Sequence, residues 1–443
     1  MFLPEYIHTC IRMLEQAGYA AYAVGGCVRD ALMGITPHDY DLCTAARPNE
    51  IRRVFADFRL VLAGEKHGTV TVMMGHEPVE ITTFRTEGDY TDSRHPQWVE
   101  FVPEIEKDLA RRDFTINAMA YSPTRGFADP FGGQEDLKNK VLRAVGDPRE
   151  RFTEDALRIL RGVRFAVRFD LMVEPKTLQA MAQLAPLMDK LAKERIYTEL
   201  CKLLPLINAR QLLQFEPIIT QASPELKPTV NFDQRSPHHA YDVYTHTAYV
   251  VEALPQDLTL RFAGLLHDVG KPEAFTQDED GRGHFYEHAQ KGAQTADTAL
   301  WLLRAPTALR QQVVLLIEHH MTTIEADKKL LKRRIRQFGM DTLQQLLALQ
   351  KADFCSKGVE EESETDFAAI DALLEEIARE DACLTVKDLA INGNDLLALG
   401  IAAGPAIGEC LEHLLDLVQD EQISNEKEPL HTAAKTYFEK ENG

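Results

Sequence analysis

Two aspartates one residue apart, Asp39 and Asp41 in HDYDL, carry the first spacing that suggests chemistry. On a strand, alternate side chains share a face, so the two carboxylates would point the same way, roughly 6–7 Å apart, with Tyr40 and Leu42 opposite. Carboxylates that close repel unless a cation lies between them. A hard Mg²⁺ ion with oxygen ligands and substrate phosphates suits that position. Two such ions can activate a hydroxyl and stabilise the pyrophosphate leaving group of an in-line displacement. An isolated DxD is more often a solvated turn. Here it follows AVGGCVRDALMG, where an extended run, Ala20 to Val24, meets Gly25, Gly26 and a helix start. Glycine lets the backbone approach a phosphate closely, and a helix N-terminus favours an anion. Arg29 can add a charged fork to a triphosphate oxygen.

GGCVRDALMG followed by DYD resembles the class II tRNA nucleotidyltransferases and bacterial poly(A) polymerases of the polymerase-β-like superfamily. ARRDFTINAMA (110–120), DPFGGQEDL (129–137) and TEDALRILRGVRFAVRF (153–169) match in family order, and INGNDLLALG, GPAIG and NEKEPL resemble the family's tail. The resemblance implies that Asp39 and Asp41 are catalytic Mg²⁺ ligands. It also implies that Gly26, Arg29 and Arg112 contact the incoming nucleotide, with Asp113 and Asn117 positioning its sugar and phosphates. From the residues alone, RRDFTINAMA reads as a helix capped by Asp113 with an arginine pair on its surface. GEKHGTVTV (64–72) and RTEGDYTDSRHP (85–96) resemble segments of members that complete the CCA end rather than add CC alone or poly(A).

In TEDALRILRGVRFAV, Ala156, Leu160, Val163 and Val167 fall on one apolar helical face. Asp155, Arg158, Arg161 and Arg164 recur every third residue, and Thr153 is a candidate N-cap. An i,i+3 pair such as Asp155 and Arg158 can present an acceptor beside a donor. Cytosine and adenine show an amino donor beside a ring-nitrogen acceptor; guanine and uracil show the reverse. The plain alternative is an intrahelical salt bridge of a few tenths of a kcal/mol. In the resembled family this EDxxR element reads the base, which implies nucleotide contacts for all four residues.

Eight of the 15 histidines lie between His238 and His320. His246, then His267 and Asp268 in LLHDVGKP, then Asp353 give the order H…HD…D, which resembles the HD phosphohydrolases. The resemblance implies a divalent metal on those four side chains. His288, with His319 or His320, could hold a second. Imidazole with carboxylate suits Mn, Fe, Ni or Zn as well as Mg, and the chemistry would be attack of water on a phosphoester. A helical body that keeps the motif without turnover is the alternative.

These residues need several elements to position them. At 443 residues the chain exceeds one ordinary core. The expected architecture is an α/β polymerase-β-like head over 1–140, then an all-α remainder: a neck over 141–218, an HD-type body over 238–356 and a tail over 366–443. A Pro-rich linker is expected between about 219 and 238. The net charge is −20, yet residues 141–202 hold 12 Arg and Lys against 9 Asp and Glu, and a second basic cluster runs from Lys328 to Arg336. RNA is therefore permitted as a partner. No apolar run approaches a membrane span, and no secretory signal opens the chain. Seven cysteines without a CxxC argue against a disulfide framework, so the cytoplasm is expected. The expected partners are tRNA, CTP and ATP, with no membrane and no obligate protein partner. Rival readings are poly(A) or partial CCA addition, an HD hydrolase with a degenerate head, and an RNA-binding module without turnover.

Overall fold

The computed structural model describes residues 1–88, 99–359, 365–379, 385–401, 403–420 and 422–441. It comprises two compact units, one of Met1–Lys227 with Ala299–Ala305, the other of Pro228–Thr298 with Pro306–Gly443.

The first unit opens on helix α1 (Glu5–Gln16), which buries Ile7, Cys10, Ile11 and Leu14 at helical spacing. Strands β1 (Ala21–Val24), β2 (Asp41–Thr44), β3 (Arg59–Val61), β4 (Thr69–Met74), β5 (Glu77–Thr83), β8 (Ala120–Ser122) and β9 (Gly126–Ala128) build one sheet, ordered β3-β4-β5-β2-β1-β8-β9. All its pairings are antiparallel except β2 with β5. Helix α2 (Gly26–Leu32) follows β1, and β6 (Arg85–Glu87) pairs with β7 (Val99–Phe101) in a separate hairpin. Residues 89–96 of RTEGDYTDSRHP lie outside the described residues. The period-two alternation sends Leu42 into a core with Ile11, Leu14 and Phe55, and Cys43 into a second core with Tyr22, Phe84 and Leu109. Tyr40 packs against the first of these.

Helix α3 (Ile105–Ala110) precedes the RRDF segment. The apolar run after it is not the expected helix. Thr115–Asn117 is a single 3₁₀ turn, and Ala120 already belongs to β8. The sheet claims this run because β1 needs a partner along its second edge.

Beyond Lys140 helices dominate, but Val141–Leu142 (β10) and Met172–Val173 (β11) form a short parallel pair that helical patterning did not reveal. The expected uninterrupted helix through TEDALRILRGV is broken. Helix α4 (Pro148–Glu154) ends at Asp155, whose φ of −141° and ψ of 102° are extended, and α5 (Leu157–Arg168) starts afresh. Asp155 Oδ1 accepts the Leu157 amide at 3.0 Å, so this side chain competes with the helix ladder. Thr153 is no N-cap: it lies inside α4 and donates to the Arg149 carbonyl at 2.8 Å. Ala156, Leu160, Val163 and Val167 are all buried, as their spacing requires. Helix α6 (Lys193–Leu203) packs against α5. The linker expected from about 219 begins later, because Glu216–Ala222 is helical with Ile218, Ile219 and Ala222 buried, and Pro224–Thr229 is a 3₁₀ helix.

The second unit contains α7 (Val243–Ala253), α8 (Leu258–Leu266), α9 (His288–Leu302) as far as Thr298, α10 (Thr307–His319), α11 (Lys328–Phe338) and α12 (Met340–Cys355). Asp242, Asp257 and Asp327 cap α7, α8 and α11 by accepting a first-turn amide. Helices α13 (Phe367–Arg379), α14 (Pro405–Gln419) and α15 (Lys427–Glu441) follow, the last two around a core of Leu396, Leu414 and Leu430. The basic residues of α11 face acids: Lys328 pairs with Glu376, Arg333 and Lys329 with Asp420, and Arg336 with Glu412 and Asp416. That cluster holds acidic helices of its own unit.

Candidate active site

Strand β2 starts at Asp41, so Asp39 lies in the approach to the strand rather than on it. The parallel pairing places Asp41 beside Glu80 of β5. Registered neighbours point to one face of a sheet, and Glu80 becomes a third carboxylate beside the start of β2. Asp41 is an exposed residue, yet its carboxylate is pushed above the usual range. Loss of water around it acts first, then the charge of Glu80; Asp39 adds to the effect and Arg112 opposes it. Surplus negative charge on oxygen ligands fits a hard divalent cation.

Gly25 precedes α2 with φ of 75°, a conformation open to glycine. A Cβ there would lie 2.8 Å from Arg112 Nη1, whereas one at Gly26 would meet nothing nearer than Arg29 Nη2 at 3.6 Å. The bare glycine thus makes room for the Arg112 guanidinium. Its Nη2 reaches Asp108 at 3.4 Å, and its Nε is buried without a hydrogen-bond partner. An orphaned buried donor of this kind calls for an acceptor.

Arg29 is placed differently from its expected role. Its Nε and Nη2 both donate to Asp30 Oδ1, at 2.8 and 2.7 Å, and its Nη1 donates to Asn117 Oδ1 at 2.6 Å. Its face packs 4.4 Å from the Phe169 ring centre. Most of its fork is engaged by the protein.

Asn117 in turn donates to Asp113 Oδ1 at 3.1 Å, and Arg161 grips Asp113 Oδ2 through Nε and Nη2 at 2.9 and 2.7 Å. Burial alone would raise the Asp113 carboxyl; the Arg161 charge and the Asn117 hydrogen bond hold it down to about 2. Asp113 therefore also ties the head strand region to α5. Arg164 is held by Glu199 of α6 at 2.5 Å, both buried.

Asp155 and Arg158 do not bond each other. Asp155 Oδ2 accepts from Arg195 Nη2 of α6 at 2.9 Å. Arg158 donates to Glu154 at 2.7 Å and to the carbonyls of Arg151 and Arg111 at 3.1 and 2.9 Å. The break at Asp155 separates the two side chains from the simple i,i+3 stacking expected on one helix.

The second unit gathers His246, His267, Asp268, His288 and His320 as buried residues, with the partly exposed Asp353 beside them. His246 Nε2 lies 2.9 Å from Asp353 Oδ1 and 3.6 Å from Asp268 Oδ2; His267 Nε2 lies 3.2 Å from the latter oxygen. Asp268 Oδ1 faces His288 Nε2 at 3.6 Å, and His288 Nε2 faces His320 Nε2 at 3.2 Å. His319 instead packs on Phe338. Each cluster histidine sets Nδ1 on a backbone carbonyl: Ser356 for His246 at 3.2 Å, Gly264 for His267 at 2.8 Å, Phe285 for His288 at 2.7 Å and Ile317 for His320 at 2.6 Å. A carbonyl only accepts, so each Nδ1 donates, and a ring that is neutral turns its Nε2 lone pair inward; beside Asp268 and Asp353 the protonated form of His267 is favoured despite its burial. His267 Nε2 and Asp268 Oδ2 are buried without a hydrogen-bond partner of proper geometry, although Lys271 Nζ forms an ion pair with that oxygen at 2.7 Å. Burial opposes ionisation of Asp268, but the charges of His267 and Lys271 hold it well below the usual range. Burial, reinforced by His267, pushes His320 down to about 4. A cavity of about 420 Å³, lined by His320, Asp353, Gln350, Phe354 and Lys357 among others, reaches the cluster.

Residues 21–143 match the family model described as the poly A polymerase head domain, and residues 286–434 match that of tRNA nucleotidyltransferase domain 2. The CCA-adding enzyme of Streptococcus suis is 33% identical over 446 residues, covering 99% of each chain. The chain belongs to the CCA-adding enzyme family. The Enterococcus faecalis CCA-adding enzyme is 50% identical over 198 residues, 45% of this chain and 48% of that one. Among solved structures, the Bacillus stearothermophilus CCA-adding enzyme in complex with CTP matches over 100% of both chains, with a TM-score of 0.70 and 26% identity. The Thermotoga maritima CCA-adding enzyme complexed with tRNA shares the fold at a TM-score of 0.60 and 22% identity, over 98% and 95% of the chains. The mixed sheet of the head followed by helices is therefore the architecture of CCA-adding enzymes. Sequence reasoning missed Glu80, which VEITTF shows only as an alternating polar position, and Arg195 and Lys271, whose partners are set by tertiary packing.

Proposed function

We propose that this protein adds C, C and A in turn to the 3′ end of tRNA, from CTP and ATP, without a nucleic-acid template and with release of pyrophosphate. The carrying observation is the carboxylate group of Asp39, Asp41 and Glu80 beside Arg112, whose buried Nε lacks an acceptor. It occurs in a chain related end to end to CCA-adding enzymes.

Asp39, Asp41 and Glu80 would hold Mg²⁺, which when bound supplies activation of the 3′-hydroxyl and charge neutralisation on the phosphates. Arg112, admitted by Gly25, takes a triphosphate oxygen, and Asn117 with Asp113 orients the sugar. Gly26 offers only its backbone at the start of α2, and Arg29 fixes Asn117. Asp155 accepts the amino group of C or A and Arg158 donates to the ring nitrogen, with Arg161 and Arg164 fixing α5 beneath them. A carbonyl in the amino position would face a carboxylate, and roughly 1–3 kcal/mol of discrimination is available from such a pair. Six described cysteines are unbonded, which accords with a cytoplasmic site of action. The test is incubation with tRNA lacking its 3′ end, each NTP singly and all together, followed by product sequencing. Terminal CCA supports the reading; oligo(A) or CC alone overturns it in favour of a poly(A)-adding or partial enzyme.

A second reading concerns the buried cluster: a metal-dependent phosphoesterase centre. His246, His267, Asp268 and Asp353 would hold one divalent ion, and Asp268, His288 and His320 a second. Inward Nε2 lone pairs and orphaned ligand atoms fit such ions. Metal-activated water is the chemistry the ions would supply, and Lys271 or Lys357 can meet the phosphate.

A further inference from the structure

We propose that Arg195 is a positioning residue for base selection: it fixes the rotation of the Asp155 carboxylate so that one acceptor edge meets the incoming base. This rests on the base-reading role of Asp155 proposed above. Asp155 occupies the extended joint between α4 and α5, its amide reaching the Arg151 carbonyl only at 3.5 Å. The final torsion of an aspartate is soft and nearly two-fold, so from the joint alone the carboxylate would present its oxygens in many directions. Two contacts remove that freedom. The Leu157 amide takes Oδ1 at 3.0 Å, and Arg195 Nη2 takes Oδ2 at 2.9 Å. Each carboxylate oxygen accepts along two lone-pair directions, so one on each remains for a ligand, now in a fixed plane.

Arg195 is well placed for this. It lies near the start of α6, and one turn later Glu199 grips Arg164 of α5 at 2.5 Å. The two grips have opposite polarity, Arg to Asp and Glu to Arg, so α6 meets α4–α5 in one register. Glu199 and Arg164 are buried, while Arg195 and Asp155 keep side-chain exposures of 21% and 17%, open enough for a ligand to reach the carboxylate. The buried grip anchors the helix; the exposed one orients the acceptor. Discrimination by hydrogen-bond polarity needs such fixed geometry, since a rotating carboxylate could turn away from a mismatched carbonyl instead of repelling it.

Single-nucleotide incorporation kinetics test this on tRNA lacking its 3′ end, for CTP against UTP, and on tRNA ending in CC, for ATP against GTP. The variants are Arg195→Met, Arg195→Gln and Arg195→Lys, with Asp155→Ala as reference. The two neutral variants are expected to lower both kcat/KM ratios by about fivefold or more, mainly through better use of UTP and GTP. Arg195→Lys, which keeps one donor, is expected to recover most of the ratio. A uniform fall for all four NTPs in both neutral variants, with the ratios unchanged while Asp155→Ala relaxes them, would overturn the role of Arg195 alone. Unchanged ratios in Asp155→Ala itself would overturn the base-reading assignment and this inference with it.

Discussion

Asp41 on β2 stands in parallel register with Glu80 on β5, the single parallel pairing in the described head sheet. Antiparallel neighbours join through short turns, but a parallel pair needs a long crossover. Here β3 and β4 intervene in sequence, and the two carboxylates are brought together from 39 positions apart. That register would supply the third oxygen ligand of the proposed Mg²⁺ site. Asp41→Ala and Glu80→Gln are expected to slow CTP incorporation by roughly 10²-fold or more, while tRNA retention on filters stays near the parent value. Glu80→Gln should also raise the Mg²⁺ concentration giving half-maximal rate. A parental rate and Mg²⁺ requirement in Glu80→Gln would remove Glu80 from the site.

How much of this was legible in sequence depends on the range of the interaction. The GGxVRD run is local, and its strand, turn and helix formed where spacing placed them, whereas the strand expected under both aspartates starts only at Asp41. The residues of the H…HD…D order are close in space: His246, His267 and Asp268 come together, Asp353 lies 2.9 Å from His246, and His288 and His320 flank Asp268. What failed was mostly competition between local and tertiary bonds. Asp155 looked like a first-turn residue of one helix capped at Thr153, yet its carboxylate captures the Leu157 amide and splits the helix. Arg29 looked free, yet Asp30 and Asn117 occupy it. The α11 lysines and arginines looked free to meet RNA because their acidic partners lie up to 91 residues downstream.

The buried cluster of the second unit separates from nucleotide addition by its ligands. Purified protein loaded with Mn²⁺ or Ni²⁺ is expected to retain metal and hydrolyse p-nitrophenyl phosphoesters. His267→Ala, which deletes an inward Nε2, should lose both while CCA addition under Mg²⁺ continues. Metal retention is read by elemental analysis, independently of turnover. Equal metal content in parent and His267→Ala would refute the ligand assignment.

Asp113 gives a stability prediction with a defined pH window. It is 7% exposed and paired with Arg161 and Asn117, which hold its carboxyl down to about 2. An unfolded aspartate titrates near 3.9. A carboxyl lowered on folding contributes its full stabilisation above the unfolded value and loses it as pH falls toward the folded one. Asp113→Asn is therefore expected to cost roughly 2 kcal/mol at pH 7, with the gap from the parent narrowing only between about pH 4 and pH 2. Urea unfolding of parent and variant across that range measures it. A gap that widened on acidification would contradict the ion pair.

Gly25 and Gly26 are adjacent, yet they should respond very differently to a single methyl group. Gly25 has φ of 75° and a virtual Cβ 2.8 Å from Arg112 Nη1; Gly26 has ordinary helical geometry and open space to 3.6 Å. An alanine at positive φ costs about 1–2 kcal/mol in backbone strain, and here it would also displace the guanidinium. Because Arg112 is assigned to the triphosphate shared by CTP and ATP, Gly25→Ala should weaken both alike and leave their preference over UTP and GTP intact. Gly26→Ala should alter affinity little, since alanine suits the first turn of a helix. Steady-state KM and kcat for CTP and ATP on matched tRNA substrates distinguish the two. Equal KM values in the two variants would show that Arg112 does not take its position from the Gly25 gap, and a selective loss of one nucleotide would move Arg112 from the phosphates to the base.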